Sequence, residues 1–128
     1  MDTQNSTQNQ PPLSVDEQKV LNTPLAQSGG MDEKDLAFLN TVMDLISKGT
    51  INLYNPSTLI NRSVYDGLPT EKRGKIDFEA VNLLSAIREI KNLNDNGFGQ
   101  TYQMSNLVQR IRVTKERLEN EGGDLFII

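Results

Sequence analysis

The chain has no cysteine, no histidine and no tryptophan. Without cysteine it can build no disulfide framework, thiolate nucleophile, iron–sulfur cluster or zinc–thiolate site. Without histidine it also lacks the commonest general base near neutral pH and the commonest transition-metal ligand. The missing cysteine does not fix a redox compartment, because such a chain survives equally well in either. Long apolar runs are missing too. Residues 1–30 hold a single basic residue, Lys19, and no apolar run of four. A secretory signal needs a positive start and an apolar stretch of about 7–15 residues, and a spanning helix needs about 20. The cytoplasm is therefore the expected compartment, with no membrane association, and the Asn-x-Ser/Thr triplets at Asn5 and Asn61 carry no weight because glycosylation presupposes export.

What is present is a chain of 128 residues, 36% hydrophobic, with 17 acidic against 13 basic side chains and a formal charge of -4. That length suits one domain, and the low apolar content leaves part of the chain outside a core. Residues 1–12 are almost entirely Gln, Asn, Ser, Thr, Asp and Pro, a composition that cannot offset the cost of ordering its backbone, so disorder is expected. Ser14 and Glu17 have the spacing of a capping box ahead of Val20 and Leu21, enough for a marginal helical turn or two. Pro24 and Gly29-Gly30 break the chain again. The division is thus a leader over 1–30, a helical body over 31–123 and an apolar tail over 124–128.

Asp32 opens the first convincing helix, with Glu33 and Asp35 in its first turn and Gly49 just past its end. Leu36, Leu39, Val42, Met43 and Ile46 form its apolar stripe, widened by Phe38 and Leu45. Ile51 and Leu53 alternate with polar residues as a short extended piece would, but no second strand offers itself. Asn55-Pro56 reads as a cap and first helical position, with a short helix to about Asn61. Val64, Tyr65 and Leu68 are expected to pin the following connection to the core. Thr70–Lys75 reads as a solvated turn of helix stopped by Gly74.

Asp77 is then the expected cap of a second long helix reaching about Asn92. Its stripe is Ala80, Leu83, Leu84, Ile87 and Ile90, with Val81, Ala86 and Leu93 on the flanks, an arc wide enough for the centre of the domain. Thr101 opens a third long helix to about Glu121, striped by Met104, Leu107, Val108, Ile111 and Leu118, with Lys115 snorkelling and Gly122-Gly123 ending it. No repeat and no long coiled coil is found. The expected fold is all-α: a small helical bundle of three long helices plus a short one, with a disordered leader and an apolar tail.

Asn92–Gln103 imitates a calcium loop, with Asn92, Asn94 and Asn96 at positions 1, 3 and 5, Gly97 at 6, Gln100 at 9 and Gln103 at 12. Neutral amides at positions 1 and 12 leave it without the anionic oxygens a hard cation needs, so a polar helix connection is the better reading. Gly97-Phe98-Gly99 lacks the Gly-Lys-Ser/Thr ending of a phosphate loop. Phe98 is read as an anchor on the bundle or, more sharply, as a partner-facing aromatic. The carboxylates Asp32, Glu33 and Asp35, and Glu116, Glu119 and Glu121, lack the apolar, concave surroundings that would make them catalytic or metal-binding. No enzyme activity, cofactor or metal is expected.

Arg110, Arg112, Lys115 and Arg117 give the last helix a basic character, with Lys72, Arg73 and Lys75 as an auxiliary patch. Arg110 and Arg117 share one flank, whereas Arg112 lies on the other beside Glu116 and Glu119; phosphate recognition wants one face free of acids. Pairs such as Arg112 with Glu116 and Arg117 with Glu121 are the plainer reading. The strongest hint is the tail, where Leu125, Phe126, Ile127 and Ile128 follow two glycines. Four adjacent large apolar side chains cannot share one face, so they either clasp their own bundle or are taken by a partner, with Phe126 and Ile128 spaced for strand addition. The expected function is that of a small accessory or adaptor protein acting through protein contacts, at Phe98 and Leu125–Ile128. The alternative is a nucleic-acid-associated helical protein using the basic residues of the last helix, and self-association is open in both cases.

Overall fold

The computed structural model describes residues 31–128, the side-chain environments of residues 121 and 122 excepted. The expected disorder of residues 1–12, the capping box at Ser14 and the breaks at Pro24 and Gly29-Gly30 lie outside the described residues. The order of elements is α1 (Glu33–Ser47), a 3-10 turn (Pro56–Leu59), α2 (Arg62–Tyr65), α3 (Thr70–Asp95) and α4 (Tyr102–Gly122). Among the described residues there is no strand beyond an isolated antiparallel bridge between Ile60 and Phe126. The fold is a small all-α bundle of three long helices with short helical pieces between the first two.

Local chemistry explains most helix ends. The Asp32 carboxylate accepts from the Lys34 N–H at 2.7 Å, and Glu33 and Asp35 meet the positive end of the α1 dipole. At the other end, the N–H groups of Gly49 and Thr50 donate back to the carbonyls of Ile46 and Leu45, each at 3.0 Å, with Gly49 at φ 78. Asn55 accepts from the Ser57 N–H at 3.1 Å, with Pro56 in the first position. Thr101 accepts from the Met104 N–H at 3.3 Å to start α4.

Two expectations are corrected. Gly74 does not stop a helix and Asp77 does not start one; α3 runs unbroken through both, and Pro69 stands at its N-cap. An interior glycine costs about 1 kcal/mol relative to alanine, an amount that burying Ile76 and continuing the backbone ladder overcome. Asp77 instead turns its carboxylate to the Tyr65 hydroxyl, which donates at 2.8 and 2.9 Å to its two oxygens. The alternation at Ile51 and Leu53 makes no strand. The Ile51 N–H donates to the Leu45 carbonyl at 3.2 Å and its side chain is buried, closing off the end of α1.

Packing places α4 against both α1 and α3, while α3 also holds the 3-10 turn. Central position is therefore shared between α3 and α4. Leu59, Ala80, Ile87, Ile90, Met104 and Val108 are wholly buried, together with Val42 from α1. The expected stripes of α3 and α4 are buried as read, but Val81 stands exposed on the outer face of α3 instead of on the flank of its apolar arc.

Candidate functional site

The basic residues of α4 divide between its two flanks. At 3.6 residues per turn, Gln109, Arg112, Glu116 and Glu119 fall on one side of the helix and Arg110, Thr114 and Arg117 on the other. Arg112 is bonded through Nη1 to the carboxylate of Asp35, to which Gln109 Nε2 also donates at 3.1 Å. Asp35 is 1% exposed, so its charge is held inside by these partners, and the pair ties α1 to α4. Arg112 Nη2 also reaches Glu116 at 3.7 Å, the expected i,i+4 pair. Lys115 Nζ, stretched along the core as expected, meets Glu119 Oε1 at 2.6 Å. Arg110 and Arg117 make no ion pair among the described residues, and the expected pair of Arg117 with Glu121 lies outside them. The four basic residues named for the nucleic-acid alternative therefore do not form one face.

The tail folds back on its own bundle. The Ile127 N–H donates to the Leu59 carbonyl at 2.8 Å, and the Asn61 N–H donates to the Leu125 carbonyl at 2.7 Å. Asn61 Nδ2 donates to the Asp124 carbonyl at 2.9 Å. The Phe126 N–H donates at 3.0 Å to Glu119 Oε2, whose other oxygen receives Lys115. Leu125 and Phe126 are buried in the core, Ile128 is half-buried against it, and Ile127 faces outward. The spacing of Phe126 and Ile128 does not give a strand: an isolated bridge joins Phe126 to Ile60 of the same chain, and the buried pair is the adjacent Leu125 and Phe126. Gly123, at φ 80 and ψ -157, makes the reversal that only glycine adopts without strain.

Phe98 is half-buried against the core, placed there by a helix-ending turn in which its N–H donates to the Leu93 carbonyl at 2.8 Å and Gly97 takes φ 88. The same turn removes the calcium-loop geometry. Asn92 and Asn94 are still inside α3, and Asn92 Oδ1 accepts from Asn96 Nδ2 at 3.1 Å. No cluster of carboxylates with metal-binding geometry occurs among the described residues. Asp32 is spent as a cap, Asp35 on Arg112 and Glu119 on the tail. The Tyr65 hydroxyl is displaced upward from its ordinary titration range, chiefly because it donates to the Asp77 carboxylate and secondarily because it is buried.

Two features lie outside the residues expected to act. The first is Phe78, 66% exposed, three positions before Val81 at 52%; the signal available in the sequence was a pair of large apolar residues at helical spacing away from the buried stripe. The second is a half-open cavity of about 470 Å³ where the first turns of α3, the last turns of α4 and the tail converge. Leu68, Ile76, Leu118 and Leu125 line it with branched aliphatic groups, and Glu71, Lys72, Lys75 and Arg117 complete the lining. Beyond it, a second depression between α3 and α4 is lined in part by Glu79, Glu89 and Arg110. Arg110 and Arg117 therefore both border the α3–α4 side, as their shared flank implies. Among the described residues no helix is long and apolar enough to cross a membrane. No family model, curated protein or solved structure matches the chain.

Proposed function

We propose that the protein is a small accessory or adaptor protein of the cytoplasm, working through protein–protein contacts and without catalytic chemistry of its own. The observation that carries this reading is the exposure of Phe78 and Val81 on the outer face of α3. Single exposed apolar residues are ordinary, but two large ones a helical turn apart form a contiguous patch whose burial by a partner is favourable. The surface favoured from the sequence shifts accordingly. Leu125 and Phe126 are engaged within the chain, which leaves Ile127, and Phe98 in part, as outward-facing members of that first set.

The test uses full-length protein and a Phe78→Asp, Val81→Asp variant as baits, with any recovered partner rebuilt from purified components. Binding lost in the variant at an unchanged melting temperature supports the reading. A partner that binds both proteins equally removes the patch from the account. Salt-sensitive retention of DNA or RNA, abolished by neutralising Arg110 and Arg117, would replace the reading with the nucleic-acid alternative. Sedimentation of the same two proteins asks whether the partner is a second copy of this chain.

A further inference from the structure

We propose that the cavity between α3, α4 and the tail is a binding site for a medium-chain aliphatic carboxylate, its hydrocarbon lying on Leu68, Ile76, Leu118 and Leu125 and its carboxylate held at the mouth by Lys75 and Arg117. This goes beyond the protein-contact reading and does not rest on it.

Four of the eight residues that line the cavity are aliphatic and the other four are charged, so it offers a hydrocarbon the transfer free energy of leaving water and a charged headgroup a partner beside it. Its volume of about 470 Å³ lies within the range of roughly 300–1,000 Å³ typical of small-molecule sites. The sign of the headgroup follows from the charges. The protein is acidic overall, at -4, and Lys48, Arg62, Lys91, Arg112 and Lys115 all find carboxylates. Lys75 and Arg117 do not, among the described residues, and both line this cavity, one from each helix. Lys72 and Glu71 line it as well, with opposite charges. A local excess of cations over an aliphatic surface selects an anion with an apolar stem, and a guanidinium matches the two oxygens of a carboxylate. The tail supplies Leu125 to the lining, so the site exists only when the tail is docked.

The test is a titration of sodium decanoate, kept below its self-association range, into the full-length ¹⁵N-labelled protein near neutral pH. The expected result is saturable shifts confined to residues 68–76 and 117–125, with unchanged helical circular dichroism. Decanol and decyltrimethylammonium, which share the chain but not the charge, are expected to bind at least about fivefold more weakly, and Lys75→Gln with Arg117→Gln to weaken decanoate by about the same factor at an unchanged melting temperature. Shifts that rise without saturating, or that saturate around Phe78 and Val81, overturn the proposal. So does equal affinity for decanol, or a double variant that binds decanoate as well as the parent does.

Discussion

The two flanks of α4 carry the same kinds of side chain and use them in opposite ways. On one flank, Arg112 and Lys115 are drawn inward, the first to Asp35 of α1 and the second to Glu119, which also holds the Phe126 N–H of the tail. On the other, Arg110 and Arg117 border depressions shared with α3 and meet no carboxylate among the described residues. Basic residues that follow one another two or three positions apart in one helix are thus divided into a cohesive set and an available set. The division is made by neighbouring elements and not by the helix itself. Charge density along a sequence is for this reason a poor guide to a charged surface, whereas the angular position of each residue relative to the buried stripe is a good one.

Removing the cohesive flank's dependents is expected to give the largest effects. Truncation after Gly123 takes away Leu125 and Phe126, whose burial contributes about 3–6 kcal/mol together; urea unfolding of the truncated protein is expected to show a loss of that order, and a midpoint close to the parent's would mean the clasp contributes little. Arg112→Ala leaves the Asp35 carboxylate buried with Gln109 alone, and a loss of about 3 kcal/mol or more is expected by the same measurement. The first turns of α3 supply a smaller test, of opposite sign and independent of either flank. A Cβ added at Gly74 meets nothing within 4 Å, so Gly74→Ala is expected to raise stability by about 0.5–1 kcal/mol, and a decrease would mean that the helix needs glycine there. The available flank sets the floor. Arg110→Gln and Arg117→Gln are each expected to move stability by less than about 0.5 kcal/mol, and a larger loss in thermal unfolding would place them with the cohesive set after all.

Much of the bundle is legible in the sequence because its ends are set by local chemistry. Asp32, Gly49, Asn55-Pro56 and Thr101 act within two to four residues of themselves, and their roles follow from residue type and spacing. The misreadings at Gly74 and Asp77 have a different origin. Local signals there say stop and start, but the energy that keeps α3 continuous comes from Ile76 in the core and from Tyr65, twelve residues upstream of its carboxylate partner. Asp35 is legible as a first-turn acid and illegible as a buried charge, since its partners lie 74 and 77 residues away. The tail is the clearest case. Its need to dock is written in four apolar residues after a pair of glycines, but its seat at Leu59–Asn61 is an irregular segment that no periodicity marks. Phe78 and Val81 are legible only by subtraction, as apolar residues that the stripe of α3 does not use. The cavity is not legible at all, because three elements far apart in the chain must meet before it exists.

The bridge between Ile60 and Phe126 also bears on the time course of unfolding. Closing it joins backbone positions 66 residues apart (126 − 60), and the entropy of so long a loop is not recovered until α4 and the 3-10 turn both lie on α3. Contacts that form after the folding barrier is crossed leave the folding rate alone and govern escape from the native state. Phe126→Ala is therefore expected to steepen the loss of the native state in an unfolding jump while refolding proceeds at the parent's rate. A slowed refolding limb would show instead that the tail belongs to the nucleus. On the first outcome, the five residues after Gly123 act as a latch on the lifetime of the bundle, and they do so at the same Leu125 that lines the cavity, so anything seated there would lengthen that lifetime by holding the latch shut.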